Sequence, residues 1–149
     1  MFGNVTTKIY LRYIEQKGFK HGKNFNIEKG ANIDAGFCGL ISCGDNVTLA
    51  KDVYIIAHDA SMKKFLGKTK VAPVSIGNNV FIGAKTTILP GCKIGDNVVI
   101  ATNSTVSTDI SSGEVWGGVP AHFIMKTINF LNKHKMQMSM NDGLIKYVD

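Results

Sequence analysis

The chain contains the stretch Val74-Ser-Ile-Gly-Asn-Asn-Val-Phe-Ile-Gly-Ala-Lys-Thr-Thr-Ile-Leu-Pro-Gly-Cys-Lys-Ile-Gly-Asp-Asn-Val98, in which an aliphatic residue returns at every sixth position. All members of this series are β-branched, and it continues beyond the stretch: Ile76, Ile82, Ile88, Ile94, Ile100 and Val106. The fourth residue after each is small or β-branched: Val80, Thr86, Cys92, Val98 and Ser104. A fixed six-residue period indicates a parallel β-helix, whose stacked coils share one aliphatic core.

The same phase extends toward the N-terminus. Cys43, Leu49 and Ile55 are six residues apart, and so are Ile27 and Ile33. Ten residues separate Ile33 from Cys43, which we interpret as a pair of repeats that is two residues short. Twenty-one residues separate Ile55 from Ile76, which is not a multiple of six. The excess predicts a loop extruded from the stack over residues 59–73.

We predict one all-β domain over residues 1–149, made of a helical cap (1–22), the β-helix (23–120) and a partly helical tail (121–149). Residues 4–17 show helical spacing, with Asn4 able to cap the helix and Gly18 able to end it. A second helical segment is expected over residues 123–138. Because the open ends of a β-helix expose unpaired backbone groups, both segments are candidate caps.

Composition excludes several classes of protein. A chain of 149 residues with 44% apolar and 19% charged residues is globular rather than disordered. The net charge is +6, but the lysines are dispersed and no nucleic-acid-binding motif is present, so we expect no nucleic-acid partner. The aliphatic run Val53–Ala57 is far shorter than the roughly 20 residues that span a bilayer. We expect no membrane span, no signal peptide and a cytoplasmic location.

The three cysteines, Cys38, Cys43 and Cys92, form no Cys-x-x-Cys pair. This spacing argues against zinc-ribbon and thioredoxin-like sites. We interpret the cysteines as reduced thiols that serve as small core residues.

The quoted stretch and the segment Gly117-Gly-Val-Pro-Ala121 resemble the hexapeptide-repeat acyltransferases. The closest branch is that of the galactoside/maltose and surface-polysaccharide O-acetyltransferases, and the resemblance covers about residues 23–126. It implies a left-handed β-helix, although most parallel crossovers are right-handed. It also implies acetyl-CoA as co-substrate, a sugar acceptor and a homotrimer with its sites between subunits.

The resemblance places the catalytic histidine at His58, where the chain leaves the coil for the extruded loop. A neutral imidazole can take the proton of a sugar hydroxyl as that hydroxyl attacks a thioester carbonyl. Asp59 follows directly and either orients the ring or is a solvated loop residue. No cysteine lies where a nucleophile is expected, so we predict direct transfer within a ternary complex.

The remaining site residues are also implied by the resemblance. Its CoA contacts correspond to Ala84, Thr102, Ser107 and Thr108, although three of these, Ala84, Thr102 and Ser107, could equally be plain turn residues. His122 and Met125 stand where relatives carry basic residues, and Thr108 stands where lysine is common. Lys85 and Lys126 are therefore candidate phosphate contacts.

Asn32 and Asp34, with Asp59, are candidate acceptor contacts. The lysines between Lys63 and Lys70 are either solvated surface or an active-site wall that attracts an anionic partner.

Two alternatives stay open. Some proteins with this repeat resemble a carbonic anhydrase with a three-histidine zinc site, which implies a metal-dependent lyase or hydrolase. His21, His122 and His134 do not form an HxxxH or similar spacing with His58, so no metal is expected, although ligands shared between subunits need not be close in sequence. The second alternative is a non-catalytic binding module.

Overall fold

The computed structural model describes residues 5–140 and 146–148. Short strands dominate it, with three α-helices and one 3-10 turn over Cys38–Leu40. The helices are α1 (Val5–Gln16), α2 (Lys63–Leu66) and α3 (Thr127–Ser139). The strands are β1 (Lys20–His21), β2 (Asn26–Ile27), β3 (Asn32–Ile33), β4 (Ile41–Cys43), β5 (Val47–Leu49), β6 (Tyr54–Ile55), β7 (His58–Asp59), β8 (Lys70–Val71), β9 (Val74–Ile76), β10 (Val80–Ile82), β11 (Thr87–Ile88), β12 (Lys93–Ile94), β13 (Val99–Ile100), β14 (Thr105–Val106), β15 (Glu114–Gly118) and β16 (Ala121–Lys126).

Three parallel sheets form three faces of a stack. Face A contains β1, β4, β9 and β12, face B contains β2, β5, β10, β13 and β15, and face C contains β3, β6, β11 and β14. The chain passes from face A to B to C and back to A, giving coil 1 (β1–β3), coil 2 (β4–β6), coil 3 (β9–β11) and coil 4 (β12–β14). The predicted predominance of parallel strands is confirmed.

The repeat series forms the core of this stack. Every residue of the series from Ile76 to Val106 has 4% or less of its surface exposed, and the residues four positions later are buried as well. Two of those are polar, Thr86 and Ser104, and both hydroxyls donate to the carbonyl of Ala101, at 3.0 and 2.7 Å. Each hexapeptide therefore contributes two inward side chains, and the buried hydroxyls keep hydrogen-bond partners.

The corner between faces A and B, the AB corner, is held by stacked polar side chains. Asn24, Asn46, Asn79 and Asn97 all have φ of 54–56°, a conformation that asparagine tolerates. Their amides bond from coil to coil, with N···O distances of 2.9, 2.9 and 3.2 Å. The coils approach so closely here that a Cβ on Gly44 would lie 2.4 Å from Asn78 Oδ1 and 2.8 Å from the Gly77 carbonyl oxygen.

The interpretation of the ten-residue spacing between Ile33 and Cys43 is wrong in detail. Ile33 lies on face C and Cys43 on the adjacent face A, so the spacing is one repeat lengthened by four residues. Accordingly, 22 positions separate Lys20 from its pairing partner Ser42, against 18 between Ser75 and Lys93. The extra residues belong to segment 34–40, which includes the 3-10 turn.

Residues 59–73, which we call the excursion, leave the stack after coil 2. β7 and β8 pair antiparallel, with His58 opposite Val71 and Asp59 opposite Lys70, and α2 lies between them. The excursion thus carries its own hairpin. It starts at the CA corner, where the chain turns from face C back to face A.

Helix α1 precedes coil 1, whereas α3 starts beside Asn97 of the AB corner and lies against the outer side of face B. α1 buries Ile14 completely, and Gly18, with φ of 101°, follows it; Asn4 lies outside the described residues. The tail differs from expectation, because residues 121–126 pair antiparallel with β15 and the helix begins only at Thr127. Residues 141–145 and 149 of the predicted tail are outside the described part of the chain.

Among residues 5–140 and 146–148, no helix combines the length and apolar character needed to cross a membrane. The cytoplasmic location and the single-domain organisation stay predictions.

Candidate active site

His58 is paired with a buried carboxylate. Its Nδ1 lies 2.5 Å from Oδ2 of Asp34, a residue that is only 5% exposed. The same oxygen accepts the backbone N–H of Ala57 at 3.1 Å. An ionised carboxylate is only an acceptor, so Nδ1 carries the proton and Nε2 is left with its lone pair.

The ring of His58 is fixed from a second side as well. The Phe37 ring lies against it, with centroids 5.0 Å apart and planes tilted by 35°. The His58 side chain is 35% exposed, and its Nε2 has no hydrogen-bond partner among the described residues. The arrangement is an oriented imidazole with one basic nitrogen open to a ligand.

Asp59 does not orient this ring. Its Oδ1 accepts the backbone N–H of Ser61 at 2.8 Å, at the start of the excursion's turn. The Ser61 hydrogen bonds, helped by Lys70 and His58, hold the pKa of Asp59 below its ordinary value. Of the two readings of Asp59, the geometry favours the loop residue, and its contact with an acceptor stays a prediction.

Asn32 lies one strand position before the inward-facing Ile33 and is exposed at the surface of face C. Its Oδ1 accepts the hydroxyl of Tyr10 at 3.2 Å, and the backbone N–H of Ile33 donates to the same hydroxyl at 2.7 Å. Burial raises the pKa of Tyr10. Helix α1 is thereby tied to the strand that leads into Asp34.

Three of the predicted CoA contacts lie together at the BC corner, where the chain turns from face B to face C. Ala84 and Lys85 belong to coil 3 and Thr102 to coil 4, and the N–H of Asn103 donates to the Ala84 carbonyl at 2.8 Å. Lys85 is exposed and has φ of 59°, unusual for a residue with a long side chain. The equivalent residues of coils 2 and 4, Asp52 and Asn103, have φ of 59° and 57°, so this conformation belongs to the turn of the repeat.

Ser107 and Thr108 lie at another corner. They follow β14 and therefore occupy the CA corner, the same corner as His58 but two coils further along the stack. With coils about 4.8 Å apart, this corresponds to roughly 10 Å. Both residues are exposed.

His122 and Lys126 lie at opposite ends of β16. His122 pairs with Gly117 near the BC corner, whereas Lys126 pairs with Glu114 at the far edge of face B. Four residues of strand place them roughly 14 Å apart, at about 3.4 Å per residue. The Lys126 Nζ is bound to Glu114 Oε1 at 2.7 Å, so the structure does not group Lys126 with Ala84, Lys85 and Thr102.

Sequence reasoning missed two features of the site. It assigned Asp34 to the acceptor rather than to the histidine, and it did not single out Phe37. Both residues belong to the lengthened corner 34–40. This corner interrupts the six-residue period, and that interruption was the sequence signal that could have pointed to them. The other histidines, His21, His122 and His134, lie on β1, β16 and α3, and the described residues hold no group of three or more His, Cys, Asp or Glu side chains that could bind a metal ion.

Comparison with known proteins finds similar repeats in the hexapeptide transferases. Residues 73–108 match the family model "Bacterial transferase hexapeptide (six repeats)". The chain is 37% identical over 125 residues to a galactoside O-acetyltransferase of Escherichia coli strain K12, a match that covers 78% of this chain and 60% of the relative.

Two solved structures of acetyltransferases are similar to this chain. A maltose O-acetyltransferase from Clostridium difficile 630 matches with a TM-score of 0.59 and 36% identity over 71% of this chain and 57% of that one. A hexapeptide-repeat acetyltransferase from Vibrio cholerae O1 biovar eltor, solved with acetyl coenzyme A, matches with a TM-score of 0.61 and 23% identity over 82% and 78% of the two chains, and shows the fold.

The chain thus carries bacterial transferase hexapeptide repeats, and its resemblance to the hexapeptide-repeat acetyltransferases is confirmed. It spans about 60% of the length of the E. coli galactoside O-acetyltransferase that it matches.

Proposed function

We propose that this protein transfers an acetyl group from acetyl-CoA to a hydroxyl of a carbohydrate or nucleotide-linked sugar, with His58 as the general base. The observation that carries the proposal is the 2.5 Å contact between His58 Nδ1 and the buried Asp34. It leaves the basic Nε2 nitrogen of a ring that is 35% exposed without a hydrogen-bond partner among the described residues.

The reaction follows from this pair. Asp34 accepts a hydrogen bond from Nδ1–H and holds the ring, so Nε2 takes the proton of the acceptor hydroxyl as the hydroxyl oxygen attacks the thioester carbonyl carbon. The C–S bond of the tetrahedral intermediate then breaks, and the imidazolium returns its proton to the departing CoA sulfur. Asp34 stabilises the imidazolium between these steps. A positioned base of this kind contributes roughly 10²–10⁴ in rate.

The BC corner is the proposed CoA surface. Ala84 and Thr102 offer small side chains and backbone groups to the pantetheine arm, and Lys85 offers an exposed charge to the phosphates, with His122 nearby. The names of the E. coli and C. difficile relatives, both O-acetyltransferases, support an acetyl donor and a sugar-type acceptor. Asn32 and Asp59 are the proposed acceptor contacts.

The site needs a second copy of the chain. His58 lies at the CA corner, whereas Ala84, Lys85 and Thr102 of the proposed CoA surface lie at the BC corner, and these corners are the two edges of face C. Ser107 and Thr108, the other CoA contacts that the resemblance implies, lie at the CA corner, two coils from His58. Within one molecule the two corners are separated by the width of face C. We propose a homotrimer in which the CA corner of each copy meets the BC corner of the next, a closed ring with threefold symmetry. We also infer that the coils are left-handed, as the resemblance implies.

The experiment is an acceptor screen. Purified protein is incubated with acetyl-CoA and a panel of neutral sugars, acidic sugars and nucleotide-sugars, and release of free CoA thiol is followed. Light scattering on the same preparation is expected to give about three times 16.2 kDa. An active monomer would contradict the shared site.

Two other outcomes would replace the proposal. Activity that is lost on chelation and restored by zinc would favour the metal-dependent lyase or hydrolase. Failure of CoA to raise the melting temperature at any concentration would favour a non-catalytic binding module.

A further inference from the structure

Two apolar surfaces of this chain lack a partner among the described residues. The first is the tip of the excursion, Phe65 and Leu66 of α2, which are 83% and 67% exposed. Lys63 and Lys64 precede the tip, and both are exposed. A phenylalanine and a leucine exposed side by side on one short helix indicate a surface that packs against another molecule.

The second surface is a groove of about 680 Å³ on the outer side of face B, beneath the start of α3. Thr48, Phe81 and Val99 line its floor, and Ile128 and Leu131 line its wall. Phe81, Ile128 and Leu131 are 46%, 60% and 46% exposed, and α3 has no buried residue among those described. The groove therefore offers an apolar pocket for a side chain of matching character.

The two surfaces are placed to meet between copies rather than within one. The excursion starts at the CA corner, and the groove extends from the middle of face B to the AB corner, where Asn46, Asn79 and Asn97 line it. The whole of face A lies between these places along the shortest path around one stack. In the proposed ring, however, the CA corner meets the neighbour's BC corner, at which the neighbour's face B begins.

The excursion and the groove also lie at the same height along the axis of the stack. A threefold rotation involves no translation along its axis, so side-by-side stacks meet at equal levels. The excursion is inserted between coil 2 and coil 3, and the groove floor contains Thr48 of coil 2 and Phe81 of coil 3.

We propose that the Phe65–Leu66 tip of each copy packs into the face B groove of the next copy. The proposal rests on the ring described under the proposed function, and it assigns to the excursion a role in assembly. Since β7 carries His58 at the base of the same hairpin, docking of the tip holds His58 at the neighbour's CoA corner.

Cross-linking tests this directly. The three native cysteines are all buried, and burial raises the pKa of Cys43 to about 12, so an introduced surface pair is the intended target of a short bismaleimide. The test variant is Phe65→Cys with Phe81→Cys. Its matched control is Phe65→Cys with Ser75→Cys, because Ser75 is exposed on face A at the same coil. A second test pair, Leu66→Cys with Val99→Cys, covers the case in which the first pair does not fold.

The expected result on a denaturing gel is a ladder of covalent dimers and trimers from each test pair and only monomer from the control and from wild type. If light scattering shows trimers but neither test pair gives a ladder, the docking proposal is wrong and the trimer proposal is kept. If light scattering shows monomers, both the docking proposal and the trimer proposal are wrong. A cross-link that changes the mobility of the monomer band alone would also overturn the proposal, because it would place the tip on its own chain.

Discussion

Asp34 precedes His58 by 24 positions, yet its Oδ2 lies 2.5 Å from the histidine Nδ1. The contact follows from strand register, because Ile33 pairs with Ile55 and the Asp34 N–H donates to the Ile55 carbonyl at 3.0 Å. The coil that ends in Asp34 is thus stacked directly on the coil that ends in His58. The geometry of the His58–Asp34 pair is therefore a consequence of adjacent turns of the repeat.

Replacing His58 by alanine is expected to lower turnover by roughly 10² or more, because the lost interaction is proton transfer. CoA should still raise the melting temperature, because the proposed CoA contacts are Ala84, Lys85 and Thr102 and not His58. Single-turnover acetyl transfer is the measurement, with His134→Ala as the control variant. Near-wild-type transfer by folded His58→Ala protein would contradict the mechanism.

Asp34→Asn is expected to lower kcat by roughly 10² with little change in the KM for the acceptor. Oδ2 of Asp34 faces both the Ala57 N–H and Nδ1 of the ring. An amide NH2 group at that place would face the Ala57 donor, so the amide oxygen occupies it and the negative charge that stabilises the imidazolium is lost. An unchanged kcat would show that Asp34 does not position the base. A rise in the KM for the acceptor at constant kcat would instead indicate that Asp34 contacts the acceptor.

The stacking of the coils could be predicted from the repeat, but the pairing of His58 with Asp34 could not, because segment 34–40 interrupts the repeat. Residues from Ile76 to Val106 recur without interruption, so their burial could be read from spacing alone. The four extra residues after Ile33 shift the phase, and the partner of His58 could not be assigned until strand pairing fixed the register. Residues 123–126 were misassigned for a different reason, since Phe123 and Ile124 fit an amphipathic helix as well as an exposed edge strand.

Lys85→Ala is expected to reduce the rise in melting temperature caused by millimolar CoA, whereas Lys126→Ala should leave most of it. Lys85 projects from the proposed CoA corner, while Lys126 is bound to Glu114 at the other edge of face B. Thermal shift across a CoA titration distinguishes the two. Equal losses for both variants would mean that CoA crosses face B.

Gly44→Ala is expected to lower the free energy of unfolding by about 1–3 kcal/mol, because the added methyl collides with the next coil. Its Cβ would lie 2.4 Å from Asn78 Oδ1 and 2.8 Å from a backbone oxygen. Gly36→Ala is the control, with its nearest atom 3.7 Å away, and should change stability by less than about 0.5 kcal/mol. Urea denaturation measures both, and equal stabilities would contradict the close coil contact.

Acid is expected to loosen the junction of β15 and β16. The hydrogen bond from Lys126, followed by that from Trp116, holds the pKa of Glu114 below its ordinary value of 4.5. A carboxylate with a lowered pKa stabilises the fold above its ordinary pKa, and that contribution is lost as pH falls through the lowered one.

The chain's single tryptophan is Trp116, so its fluorescence reports on this junction. A transition in wild type on acidification should be absent from Glu114→Gln. If the same transition persists in that variant, another group is responsible.

The base of the excursion makes it an exchangeable module. The chain leaves and re-enters the stack at one corner, where the Ala72 N–H donates to the Ala57 carbonyl at 3.0 Å and His58 pairs with Val71. Coils 2 and 3 keep their register whatever length of chain is inserted between these residues. Evolution can therefore lengthen, shorten or replace the segment beside His58, the proposed general base, while the folding information in the repeats stays intact.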